Sequence, residues 1–95
     1  MRVERRNVKI LGAVQGVFFR ETVRRIALRY DVHGFVRNVG FDAVEIEAEG
    51  VPAIVNAFIS DVLAHPPAEA RIDNVRSTSV PPQGTVGFSV ARSLR

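Results

Sequence analysis

Residues 43–49, Ala-Val-Glu-Ile-Glu-Ala-Glu, alternate without interruption between apolar side chains and carboxylates. Successive side chains on an extended chain point to opposite faces, so Val44, Ile46 and Ala48 share one face and Glu45, Glu47 and Glu49 the other. Such a strand belongs to a sheet with one buried and one wet face, which points to antiparallel pairing. The glutamates are read as that wet face and not as a metal site, because their spacing is simply that of a strand.

The flanking segments extend the pattern. Residues 8–14, Val-Lys-Ile-Leu-Gly-Ala-Val, read as a partly buried strand. Phe19, Val23, Ile26, Ala27 and Tyr30 fall on one helical stripe, with Arg20, Glu21, Arg24, Arg25 and Arg29 off it. That helix ends at His33 and Gly34, where a second strand opens, and Gly40 and Asp42 mark the turn into the alternating strand. Gly50 closes that strand, and Pro52 suits the first turn of a second helix with Ile54, Val55, Phe58, Ile59, Val62 and Leu63 as its buried stripe. Pro66 and Pro67 stop it. Residues 71–79 form a weaker strand, and a Pro-Pro-Gln-Gly loop leads to a short last one with Val86, Phe88 and Val90 on one face. The order predicts an α+β fold, a ferredoxin-like β-α-β-β-α-β sandwich: an antiparallel sheet, two helices on one face and a short extra C-terminal strand. No linker or repeat divides the chain, so residues 1–95 are expected to form a single domain.

Bulk properties narrow the function classes. The chain has no cysteine, hence no disulfide framework and no cysteine-based metal site. Its N-terminus is too charged for a signal peptide and no apolar run reaches bilayer length, so a soluble cytoplasmic protein is expected. A net charge of +3, from 13 basic residues of which only Lys9 is lysine, favours anionic ligands, although a surplus of that size is mostly solvated surface.

The chemistry concentrates in residues 12–20, Gly-Ala-Val-Gln-Gly-Val-Phe-Phe-Arg, between the first strand and the first helix. Two glycines bracket the turn, and main-chain N–H groups of Gln15, Gly16, Val17, Phe18 and Phe19 are placed to converge on one anion at a helix N-terminus. Arg20 adds a planar cation whose fork matches two phosphate oxygens. The plain alternative is a tight turn with an incidental arginine, yet a cation at a helix N-terminus opposes the helix dipole. The spacing is not that of a P-loop. Asn38 ends the second strand in Gly-Phe-Val-Arg-Asn; asparagine is depleted in strands, so it either serves a turn or uses its amide to hold a water in a set direction. Arg37 alternates to the other face and is read as a solvated charge. His33 and His65 stand isolated at helix ends, and no serine, histidine and aspartate or paired carboxylates come together. Catalysis without a strong base, metal or nucleophile requires an easy reaction: transfer from a phosphate with a very good leaving group, such as a carboxylate.

Residues 12–20 match throughout a signature similar to that of the acylphosphatases, Gly-x-Val-Gln-Gly-Val-Phe/Tyr-Phe/Tyr-Arg. A second signature resembles Gly-Phe-Val-Arg-Asn at 34–38 followed by a turn and the strand that ends at Gly50. The resemblance covers nearly the whole chain. It implies hydrolysis of a carboxyl–phosphate anhydride to a carboxylate and inorganic phosphate, without metal or cofactor. By the same resemblance Arg20 and the N–H groups of residues 15–19 bind the phosphoryl group and Asn38 orients the attacking water. The expected partners are a small acyl phosphate and inorganic phosphate, with no nucleic acid, no membrane and a monomeric chain. One departure is visible: the family's usual Asp-Gly after the asparagine is replaced by Phe41 and Asp42, with Gly40 before them.

Two other readings stand beside this one. His65–Asp73 resembles a stretch of the acylphosphatase-like domain that begins large carbamoyl-transferring hydrogenase maturation proteins, although those tend to have proline where this chain has Glu21. An RNA-binding module shares the element order, but the glutamates of the third strand would repel a nucleic-acid backbone.

Overall fold

A computed structural model describes residues 2–95. The chain runs β1 (Glu4–Ala13), α1 (Phe19–Ala27), β2 (His33–Val39), β3 (Ala43–Gly50), α2 (Pro52–Ala64), β4 (Arg71–Val80) and β5 (Phe88–Val90). Alternation makes β3 the pivot of the sheet: it pairs antiparallel with β1 on one side and with β2 on the other. The strand order is β4-β1-β3-β2-β5, which is the ferredoxin-like arrangement with β5 added at the edge. The sheet is mixed and not wholly antiparallel as expected, because β5 runs parallel to β2. The chain leaves β4 at one edge, crosses to the other, and arrives running in the direction of β2.

The apolar face of the sheet meets both helices. Val8, Ile10, Val36, Val44, Ile46 and Ala48 from the strands pack with Phe19, Val23 and Ile26 of α1 and Val55, Phe58 and Val62 of α2. Phe58 sits at the centre, edge-to-face with Tyr30 at 5.9 Å and Phe88 at 5.5 Å between ring centroids. Val86 does not share a face with Phe88, as the pattern suggested; it precedes β5 and is 91% exposed.

The opposite face departs from the reading of a solvated surface. Glu45 and Glu49 are buried, and Arg5 is only 1% exposed. Arg5 Nε donates to Glu47 at 2.6 Å, and its Nη1 donates to Glu49 at 3.1 Å and to the Thr85 hydroxyl at 3.0 Å. Glu49 also accepts the N–H groups of Gln83 at 2.6 Å and Gly84 at 2.9 Å. Asn7 bridges Glu45 and Glu47, both at 2.9 Å. Arg37, expected to be solvated, is half-buried: it pairs with Glu45 at 2.7 Å and lies over the Phe35 ring. The crossing segment at 83–85 therefore packs on Glu49 and Arg5, and each buried charge finds an opposite charge or an N–H. The Gln83 N–H, working against the cost of burial, and then Arg5 and the Gly84 N–H hold the Glu49 carboxyl below the ordinary range.

Candidate active site

The turn between β1 and α1 is set by the backbone before any side chain acts. At Gly12 (φ 144°) the ladder with β4 shifts register, and a Cβ there would lie 2.1 Å from the Arg71 carbonyl oxygen. On its other side the Gly12 N–H donates to the Asp42 carbonyl at 2.8 Å, so the start of the turn is tied to the β2–β3 hairpin. Gly16 has φ 73° and Phe18 has φ 62°. Phe18 is the N-cap of α1 and carries no side-chain cap. Both the N–H and the hydroxyl of Thr22 donate to its carbonyl, at 3.0 and 2.9 Å. A left-handed aromatic residue costs about 1–3 kcal/mol relative to a relaxed backbone, so local preference alone does not place it there. Left-handed residues in a turn aim successive N–H groups into a concavity. Among the described residues, the N–H groups of residues 15–19 have no protein acceptor.

Gln15 contributes more than its N–H. Its Nε2 donates to the carbonyls of Val39, Gly40 and Ala43 at 3.3, 3.1 and 2.9 Å, which locks the turn onto the hairpin that follows Asn38. Arg20 lies in the first turn of α1, half-buried, with no ion pair among the described residues. Its neighbour Glu21 is engaged elsewhere, by Arg24 at 2.7 Å and Arg25 at 3.1 Å. The Arg24 hydrogen bond lowers the Glu21 carboxyl to about 2. Glu21 is thus paired with Arg24 and Arg25 and makes no ion pair with Arg20 among the described residues.

Asn38 sits within β2 opposite Val44, on the face that buries Val36, and not in the turn. Its Oδ1 is buried without a hydrogen-bond partner among the described residues. Its main-chain carbonyl accepts from the Leu94 N–H at 2.8 Å, and the Gly40 N–H donates to the Leu94 carbonyl at 2.8 Å. The replaced hairpin turn closes around Gly40 at φ 60° with Asn38 in register.

A cavity of about 390 Å³ brings Gly16, Phe18, Phe19, Arg20 and Asn38 together. Val14, Glu21 and Val90 complete its lining. Gln15 and Asn38 also line a second cavity of about 490 Å³, bounded by Gly40, Phe41 and the C-terminal Ser93–Arg95. Val17 packs against the core and lines neither cavity. The sequence reading missed Val90, Glu21, the Gln15 side chain and the Leu94 clasp. Val90 had a signal in its alternation with Phe88; the Leu94 contact is main-chain only and leaves none. His33 accepts the Gly87 N–H and meets Asp31, and His65 meets Asp61, so both serve local contacts. No group of metal-ligating side chains occurs among the described residues.

A family model described as acylphosphatase matches residues 6–90. The chain belongs to the acylphosphatase family. It is 40% identical over 90 residues to the acylphosphatase of Thermococcus kodakarensis, covering 95% of this chain and 98% of that protein. The crystal structure of the Bacillus subtilis acylphosphatase superposes with a TM-score of 0.86 at 26% identity, covering 95% of this chain and 99% of that one. Full-length HypF in its phosphate- and nucleotide-bound form gives a TM-score of 0.93 at 32% identity over 98% of this chain, which spans 12% of that protein. Membership makes this chain a hydrolase of acyl phosphates. No helix among the described residues is long and apolar enough to cross a membrane.

Proposed function

We propose that hydrolysis proceeds by in-line attack of a water held by Asn38 on a phosphoryl group held by Arg20 and the N–H groups of residues 15–19. The observation that carries this reading is one cavity lined by both an unpaired guanidinium and a carboxamide whose buried oxygen has no partner among the described residues. Buried polar atoms are otherwise nearly always hydrogen-bonded, and an exception points to a ligand or a reacting group. In the proposed step the water oxygen bonds to phosphorus as the bond from phosphorus to the acyl oxygen breaks. The carboxylate leaves with the electron pair, and a phosphate oxygen of the substrate takes the proton of the water. A carboxylate of such low basicity needs no acid to depart. Arg20 and the turn supply position and charge, which phosphoryl transfer chiefly requires.

The test is phosphate release from benzoyl phosphate or acetyl phosphate with a chelator present and no added metal. The account expects turnover undiminished by the chelator. Release that stops with chelator and returns with a divalent cation would overturn the metal-free mechanism. The likeness to HypF favours a second reading, a phosphate-binding module of a larger protein. Inorganic phosphate bound without turnover of either substrate would select it.

A further inference from the structure

We propose that the Phe18 side chain, together with Val90, is the acyl-group subsite of this enzyme, and that it selects acyl phosphates with flat apolar acyl groups. This rests on the phosphoryl-binding reading of the same cavity. In-line displacement places the leaving group across phosphorus from the attacking water, hence away from Asn38. Val14 and Phe19, at 1% and 2% exposed, floor the cavity, whereas Phe18 at 83% and Val90 at 42% stand at its mouth. Phe18 and Val90 are thus the exposed apolar side chains of this lining, the ones an acyl group reaching toward solvent can touch. Phe18 is doubly unfavourable as a structural residue: its ring is in water, and its backbone is left-handed where glycine would be unstrained. Its N–H serves the turn, but any residue has an N–H; only the ring distinguishes phenylalanine. An aromatic ring beside a reacting acyl group offers a stacking face to a planar apolar partner.

The second cavity does not compete for this role. It reaches Asn38 but contains neither Arg20 nor Phe18, so it lacks the guanidinium that holds the phosphoryl group.

The experiment measures kcat/KM for benzoyl phosphate and for acetyl phosphate, and takes their ratio, in the wild type and in Phe18→Ser, Phe18→Tyr, Val90→Ser and Phe41→Ser. The ratio is expected to fall at least about tenfold in Phe18→Ser. It should fall less in Val90→Ser, return in Phe18→Tyr, and hold in Phe41→Ser. The ratio is insensitive to a general loss of activity or folding. A ratio unchanged in Phe18→Ser overturns the subsite, including the case in which the exposed ring docks a partner protein instead. A ratio that falls only in Phe41→Ser overturns it too, and places the acyl group in the second cavity. Absence of phosphate release from both substrates in the wild type would instead be the failure of the proposed function.

Discussion

Arg5, on the outer face of the sheet, and Arg20, in the helix against the other face, have opposite surroundings. Arg5 is 1% exposed and meets Glu47, Glu49 and Thr85. Arg20 is half-buried, lines a cavity, and has no ion pair among the described residues. The same contrast separates Asn7, whose amide bridges two carboxylates, from Asn38, whose buried oxygen has no partner. A polar group with all its partners inside the protein holds the fold together. One left without partners is available to a substrate. The outer face of the sheet is therefore structural, and the helix-side cavity is the proposed place of chemistry, although both carry the same residue types.

The largest effects should come from exchanging the two arginines for alanine. Arg20→Ala is expected to lower kcat/KM by about a thousandfold or more while the melting temperature stays near that of the wild type. Arg5→Ala should do the reverse. It strands buried Glu49 and half-buried Glu47 and is expected to cost about 3–5 kcal/mol in chemical denaturation, with activity per folded molecule retained. A stable Arg5→Ala variant, or an unstable but active Arg20→Ala variant, would break the contrast.

Phe58→Ala gives the apolar reference for that contrast. The ring is fully buried between Tyr30 and Phe88, and its loss should cost about 3–5 kcal/mol without a change in KM. A KM shift in the folded variant would show that the core reaches into the site.

The smallest effect expected is one of pH on the outer face. The N–H of Gln83, opposed by burial, and then Arg5 and the Gly84 N–H keep the Glu49 carboxyl below its ordinary 4.5 in the folded chain. A carboxyl depressed by folding stabilises the protein above its unfolded value, and that stability is lost as pH falls through the folded value. The melting temperature should therefore fall below about pH 4.5, and less steeply in Glu49→Gln. Parallel profiles for the two proteins would mean that Glu49 does not hold segment 83–85.

Much of this was legible in the sequence where periodicity or a motif spoke. The alternation at 43–49 gave the central strand its faces, and the stripes through Phe19–Ala27 and Val55–Val62 gave the helices. The turn and Asn38, far apart in sequence, do meet in one cavity. What failed was the inference from alternation to exposure. A strand pattern says which side chains share a face but not what covers that face, and Arg5 reaches Glu49 across 44 positions. The direction of β5 was equally silent, because three residues are too few to carry a pattern. The Gln15 bridge was hidden for another reason: a side chain in a motif can face either the ligand or the scaffold.

The most direct test of the contrast is inorganic phosphate binding by calorimetry beside benzoyl phosphate turnover, in Asn38→Ala and Arg20→Ala. The account predicts that Asn38→Ala binds phosphate nearly as tightly as the wild type while kcat falls by about a hundredfold or more, and that Arg20→Ala loses both. Near-normal turnover in Asn38→Ala, or undiminished phosphate affinity in Arg20→Ala, would contradict it.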